Sequence, residues 1–133
     1  MREQGSGQAV RKRRLLAWAP PVAWMGTIFL LSSQPDLSPI TPFSFQGMDK
    51  VAHAIAYGIF AILVRRAALP SPRAALIGWT VPVLYGMTDE FHQSFVPGRD
   101  MSIWDLVADA VGALLALVVV TSIRRRRGKA QPA

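Results

Sequence analysis

Four stretches of the chain are apolar over the length of a helix, and shorter polar segments separate them. About 20 apolar residues in a helix are enough to cross the hydrocarbon core of a bilayer. Periodic apolar runs of this length favour helices over strands. The pattern predicts an all-α membrane protein with four transmembrane helices, at residues 15–33, 48–66, 74–91 and 103–123.

Prolines mark where these helices begin, bend and end. Pro20 and Pro21 fit the first turns of a helix, where few amide donors are missed. Pro82 lies inside the third span and predicts a kink there. The segment QPDLSPITPFSFQG is predicted to be a loop, with Phe43 and Phe45 at the membrane interface. The first apolar run is long for a signal peptide and lacks a clear A-x-A site, so we interpret it as an uncleaved span.

The basic residues predict the orientation of the four spans. Thirteen of the 15 Lys and Arg residues lie before the first span, between the second and third, or after the fourth. Positively charged flanks stay in the cytoplasm, so both termini are predicted to be cytoplasmic. Residues 1–14 and 124–133 then form basic cytoplasmic tails around a four-helix domain at 15–123. Only Lys50 and Arg99 are placed on the outer side.

The acidic residues have the opposite distribution. Seven of the 8 lie at or near the outer ends of the spans, although acidic residues contribute little to membrane topology. Three spans carry these groups on stripes with helical spacing. The stripes are Asp49, His53 and Tyr57 with Lys50 beside them, then Tyr85, Asp89 and Gln93 with Glu90 alongside, then Ser102, Asp105, Asp109 and Gly112.

The position of the last stripe predicts a polar pocket. Asp109 lies on the order of 10 Å below the start of its helix, where a charged side chain costs up to about 2.5–3.5 kcal/mol to insert. Such residues face the interior of the bundle, so the three stripes are predicted to face one another. Arg99 and Lys50 are the counter-charges. Asp49 and Ser102 also suit helix caps, and Gly58, Gly86 and Gly112 suit close helix contacts.

Composition narrows the class of protein. The hydrophobic fraction of 51% and the mean hydropathy of +0.27 are high for a soluble domain. The sequence pI near 11.1 would suit a nucleic-acid partner, but the basic residues flank apolar runs, so none is predicted. The chain has no cysteine, which excludes disulfides and thiolate chemistry. The predicted partner is the lipid bilayer, and no cofactor is predicted.

The motifs DKVAHAIAYG and YGMTDEFHQSFVPGRDMSIWDLVADAVGA resemble the signature of the VanZ family, named after a bacterial accessory protein of glycopeptide resistance. The resemblance covers about residues 49–113. It implies a small multi-pass protein of the bacterial cytoplasmic membrane, linked in some members to teicoplanin-type susceptibility, and brings no established reaction. The family's polar positions correspond here to Asp49, Lys50, His53, Tyr57, Asp89, Glu90, Gln93, Arg99, Asp105 and Gly112. Family members often have Asn where this chain has Asp109.

These residues predict an outward-facing pocket that binds or modifies an envelope component, such as a lipid-linked or phosphate-bearing anion at the outer leaflet. The predicted acid–base groups are Asp49, His53, Asp89, Glu90 and Asp105, and the predicted ligand-binding groups are Lys50, Tyr57, Gln93, Arg99 and Asp109.

Three alternatives stay open at this level. A metal-dependent enzyme would use His53, His92, Asp89 and Glu90, although no H-E-x-x-H spacing exists and no metal ligand set is predicted. A proton-coupled transporter would titrate Asp109 and His53. A structural or accessory partner of an envelope enzyme would use the outer charges to hold its loops together.

Overall fold

The computed structural model describes residues 2–35 and 47–129, and these residues form helices without any strand. The helices are α1 (Arg2–Ala17), α2 (Ala19–Ser32), α3 (Met48–Ala67), α4 (Ala74–Gln93) and α5 (Ile103–Lys129). The all-α fold class is therefore confirmed. Most of the loop predicted after the first span lies outside the described residues, and so do Phe43 and Phe45.

The first two helices form a nearly continuous rod that is interrupted at Trp18. Pro20 and Pro21 follow directly, in the first turn of α2, as the sequence predicted. A proline has no amide hydrogen, so neither can donate to a carbonyl four residues earlier, and the hydrogen-bond ladder breaks between the helices. The predicted N-terminal tail is thus helical over its described part. At the other end of the chain, α5 continues through the basic cluster to Lys129.

Within residues 2–35 and 47–129, two helical segments are long and apolar enough to cross a membrane, namely Gly7–Ser32 and Ile103–Gly128. In α5 the outward side chains are strongly exposed, with 59% for Leu115 and 55% for Val119. Apolar surface of this extent on a small protein marks contact with lipid or with another protein. The other two long helices, α3 and α4, are more polar because they carry the charged residues of the predicted stripes.

The centre of the bundle is the contact between α3 and α5, which approach most closely at Gly112. A Cβ atom at this position would lie 2.5 Å from Cα and 2.6 Å from the carbonyl carbon of Ala54. Only glycine therefore permits this spacing between the two backbones. Gly58 lies on the opposite side of the same contact, where a Cβ would lie 3.2 Å from the carbonyl oxygen of Gly112. The prediction that these glycines permit close packing is confirmed.

The fourth helix, α4, packs against both members of this pair, and α2 packs mainly against α3. Tyr57, Phe60 and Val64 of α3 are fully buried, and Ile28 of α2 covers them. Polar contacts also attach α2 along its length: Trp24 donates to the carbonyl of Ala56 at 2.9 Å, and Tyr85 donates to the carbonyl of Met25 at 3.0 Å. The end of α2, the start of α3, the end of α4 and the start of α5 thus meet at one end of the bundle.

Candidate functional site

The three polar stripes face one another at this end, as the sequence predicted. His53 of α3 lies with Nδ1 3.0 Å from Oδ1 of Asp109 of α5. Tyr57 of α3 donates to Oδ2 of Asp89 of α4 at 3.3 Å. His53 and Asp109 are 56 residues apart in the chain, and Tyr57 and Asp89 are 32 residues apart. The stripes therefore converge through packing of the helices.

Asp89 is the most fully satisfied acid of the site. It is 3% exposed and accepts hydrogen bonds from three side chains on three helices. The donors are Ser32 at 2.6 Å, Tyr57 at 3.3 Å and Gln93 at 3.2 Å. Three charge-assisted bonds offset much of the cost of burying a carboxylate. Ser32 was not predicted from the sequence, because it ends an apolar run without a polar neighbour at helical spacing.

Glu90 faces the start of α5 and joins it to α4. Its Oε2 accepts a hydrogen bond from the backbone amide of Ser102 at 2.7 Å. The hydroxyl of Ser102 in turn accepts from the amide of Asp105 at 3.2 Å, so Ser102 caps α5 as predicted. Asp49 does not cap α3, and this prediction is wrong. Gly47 occupies that position in a left-handed conformation with φ of 93°, which places Asp49 inside the first turn.

Lys50 pairs with two acids at the rim. Its Nζ lies 2.9 Å from Oδ2 of Asp49 and 3.2 Å from Oδ1 of Asp105. The second contact is an ion pair without the alignment of a hydrogen bond, since Oδ1 of Asp105 is buried and has no hydrogen-bond partner among the described residues. Lys50 is therefore the counter-charge that the sequence predicted.

Arg99 behaves differently from the prediction. Its Nε donates to the backbone carbonyl of Gln34 at 3.0 Å, and its Nη1 donates to Oε1 of Gln93 at 3.2 Å. Among residues 2–35 and 47–129, Arg99 forms no ion pair with a carboxylate. In the described part of the chain, two neutral groups, the carbonyl of Gln34 and the side chain of Gln93, hold its guanidinium, and no pairing with the acids is seen there.

These groups surround a cavity of about 210 Å³ between α2, α3 and α4. Ile28 and Leu31 of α2 form an apolar wall. Six of the ten predicted site residues line the rest of the cavity, namely Asp49, His53, Tyr57, Asp89, Gln93 and Arg99. The other four, Lys50, Glu90, Asp105 and Asp109, lie beside it. His92 points elsewhere, because its Nε2 contacts the hydroxyl of Ser33 at 3.0 Å and its ring lies against Phe29.

A helical bundle with two helices apolar enough to cross a membrane, and with polar side chains around a cavity at one end, has the features of a small helical membrane protein. The family comparison agrees with this class. The chain belongs to the VanZ/LLP1 family, whose model matches residues 4–124. Comparisons with curated proteins and with solved structures gave no match.

Proposed function

We propose that the protein binds an anionic component of the bacterial cell envelope in this pocket, at the outer face of the cytoplasmic membrane. The observation that carries the proposal is the guanidinium of Arg99. It borders the cavity, and among the described residues no carboxylate pairs with it. An Arg held by neutral groups keeps its full charge and its forked donor geometry available to a phosphate.

The two carboxylates that line the same cavity do not compete for this cation. Asp89 accepts hydrogen bonds from Ser32, Tyr57 and Gln93, and Asp49 is paired with Lys50. Gln93 also accepts a hydrogen bond from Arg99, so it connects Asp89 to a guanidinium that pairs with no carboxylate in the described part of the chain. The pocket therefore offers one positive group toward a ligand, although acids surround it.

The shape of the pocket supports a lipid-linked ligand over a soluble one. The accessible lining of the cavity is mainly apolar and includes Ile28 and Leu31 of α2, and polar side chains such as Asp89, Gln93 and Arg99 border it at discrete points. A ligand with a hydrocarbon chain and a phosphate head would place the chain against the apolar lining and the head beside Arg99. Sequestering such a lipid-linked precursor would account for a link to teicoplanin-type susceptibility.

His53 supplies the acid–base chemistry in this proposal. It lines the cavity, and its Nδ1 contacts Asp109, which orients the ring and fixes its tautomer. A histidine oriented by a buried carboxylate is suited to moving a proton to or from a bound ligand. Binding is the function that we propose, and this arrangement would allow a proton-transfer step on the bound head group.

Substitution of Arg99 tests the proposal. Purified protein in lipid nanodiscs is titrated with a polyprenyl phosphate and, separately, with inorganic phosphate. We expect Arg99→Ala to weaken binding of the polyprenyl phosphate by about 10- to 100-fold, because hydrogen bonds to charged groups contribute about 1.5–3 kcal/mol. Arg99→Lys should recover only part of this affinity, because an ammonium group lacks the bidentate fork.

The matched control is Arg73→Ala, an exposed arginine before α4 at the opposite end of the bundle. It should bind like the wild type. Equal affinity of Arg99→Ala and the wild type for the polyprenyl phosphate would rule out the anion site. Tight binding of inorganic phosphate without binding of the polyprenyl phosphate would rule out a lipid-linked ligand.

We also propose four membrane spans with both termini in the cytoplasm. The helices α3 and α4 have 20 residues each, which corresponds to about 30 Å and matches a bilayer core. Asp89, Glu90 and Gln93 of α4 are buried in the bundle interior, where membrane proteins usually carry such residues. Thirteen basic residues then lie on the cytoplasmic side.

The cysteine-free sequence allows a direct test of this topology. Single cysteines at Ser71 and Ser122 should resist a membrane-impermeant maleimide in intact cells and react after the membrane is permeabilised. A cysteine at exposed Asp100 should react in intact cells. Labelling of Ser122→Cys from outside would contradict the proposed orientation.

A structural role is the second candidate, and the contact of Glu90 with the start of α5 favours it. This hydrogen bond holds the loop between α4 and α5 in place, which is what a charge with a purely structural role would do. A structural or accessory role predicts that Arg99→Ala lowers the amount of protein in the membrane and that antibiotic susceptibility changes in step with this loss. A binding site predicts normal abundance with an altered susceptibility phenotype.

A further inference from the structure

Three side chains that commonly bind metals meet beside the pocket. His53, Glu90 and Asp109 each offer one ligand atom, and these atoms lie within 4.8 Å of one another. The three residues come from α3, α4 and α5, respectively. The sequence did not predict this set, because its members are far apart in the chain and follow no metal-binding motif.

Two of these side chains are buried and incompletely satisfied. Glu90 is 3% exposed and Asp109 is 1% exposed. Among the described residues, Oε1 of Glu90 and Oδ2 of Asp109 have no hydrogen-bond partner. A buried carboxylate oxygen without a partner is unfavourable, and such an atom in a native protein calls for a ligand, an ion or water. The two atoms thus point to something bound between them.

The charges nearby do not supply this partner. Besides the exposed Asp100, five carboxylates gather at this end of the bundle in the described part of the chain, and Lys50 and Arg99 are the basic residues beside them. Lys50 pairs with Asp49 and Asp105, and Arg99 is held by Gln34 and Gln93. Glu90 and Asp109 are therefore left with His53 as their nearest group able to carry positive charge.

We infer that His53, Glu90 and Asp109 bind a divalent transition-metal cation of the Zn²⁺ or Mn²⁺ type. One imidazole and two carboxylates suit these ions, whereas Mg²⁺ and Ca²⁺ prefer oxygen ligands alone. In a tetrahedral site, ligands at about 2.0–2.2 Å from the ion are about 3.3–3.6 Å apart. The three ligand atoms lie within 4.8 Å of one another, so they would have to close by up to about 1.5 Å when the ion binds.

The site would sit directly beside the ligand pocket, because His53 belongs to both. With the ion bound, His53 acts as a ligand, so the proton-transfer role described above belongs to the metal-free pocket. It differs from the metal set considered from the sequence, which contained His92 and Asp89. His92 contacts Ser33, and Asp89 is already bonded to Ser32, Tyr57 and Gln93. Asp109 takes their place as the buried carboxylate ligand.

Metal binding by the full-length protein tests the inference without any envelope ligand. Protein in nanodiscs is stripped with a chelator, equilibrated with Zn²⁺ or Mn²⁺ and measured by mass spectrometry of the metal content and by thermal unfolding. We expect about one ion per chain and a higher Tm when the ion is present. Asp109→Asn and His53→Ala should each weaken binding by about tenfold or more and abolish the rise in Tm.

The matched control is His92→Ala, which removes the other histidine of the chain and should bind like the wild type. Asp109→Asn preserves the size of the side chain, so its Tm without metal shows whether it is folded. Less than about 0.1 ion per wild-type chain with both metals would overturn the inference. Unchanged affinity in the folded Asp109→Asn protein would overturn it as well. Failure here would leave the anion site intact, because Arg99 is tested with a different ligand.

Discussion

Gly112→Val should remove most of the folded protein from the membrane, and Gly112→Ala should lower its stability by about 1–3 kcal/mol. A Cβ atom at this position would lie 2.5 Å from Cα of Ala54, far inside the contact distance of two carbon atoms. The obstructing atoms belong to the backbone of α3, so no side-chain rotation relieves the overlap. The two central helices would have to separate, and the stripes of α3 and α5 would separate with them.

Membrane abundance and unfolding by denaturant in mild micelles measure this effect. Gly26→Ala is the matched control, since Gly26 lies inside α2 and a Cβ there would meet nothing within 4 Å. That substitution should be neutral or slightly stabilising, because alanine favours helix more than glycine. Wild-type stability in Gly112→Ala would show that α3 and α5 do not pack as closely as described.

Asp89→Ala should lower the free energy of unfolding by about 2 kcal/mol or more and should also weaken ligand binding. The substitution takes the shared acceptor from Ser32, Tyr57 and Gln93 at once. A buried polar group left without its partner costs about 1–3 kcal/mol. Gln93 would also lose the contact that positions it for Arg99, so the anion site would be disturbed through this residue.

Asp89→Asn separates the two effects in the same unfolding and binding measurements. Asparagine keeps the volume and one acceptor oxygen, so its loss of stability should be smaller than that of alanine. Asp100→Ala serves as the control for removing an acid, because Asp100 is exposed and outside the cavity. If Asp89→Ala unfolded at the wild-type denaturant concentration, the hydrogen bonds around Asp89 would not be a structural centre.

Much of this architecture was readable from local patterns. The α3 and α4 helices begin at Met48 and Ala74, where the apolar spans were predicted to begin. The convergence of the stripes followed from helical spacing together with the cost of exposing Asp109 to lipid. Both depend on properties of a single helix, and a sequence displays those directly.

What the sequence could not provide were contacts that depend on how helices are placed against each other. Ser32 meets Asp89 only because the end of α2 reaches the end of α4. Arg99 was expected to pair with an acid, whereas the turn after α4 directs it to Gln34 and Gln93. Glu90 and Asp109 adjoin because the side chain of Asp109 lies against α4 at Gly86, where a Cβ atom would be 2.9 Å from Oδ2 of Asp109. The residues in these contacts are not separated by any fixed number of positions along the chain, so no sequence pattern predicts them.

The mainly apolar lining of the cavity, with polar side chains at its border, affects how the protein must be handled in vitro. Detergents are amphiphiles with a hydrocarbon tail and a polar head, and Ile28 and Leu31 present them with an apolar surface beside polar groups. A solubilising detergent at high concentration would therefore occupy the cavity and compete with a weaker natural ligand. Affinities measured in micelles should then fall as detergent concentration rises, whereas those measured in nanodiscs should not.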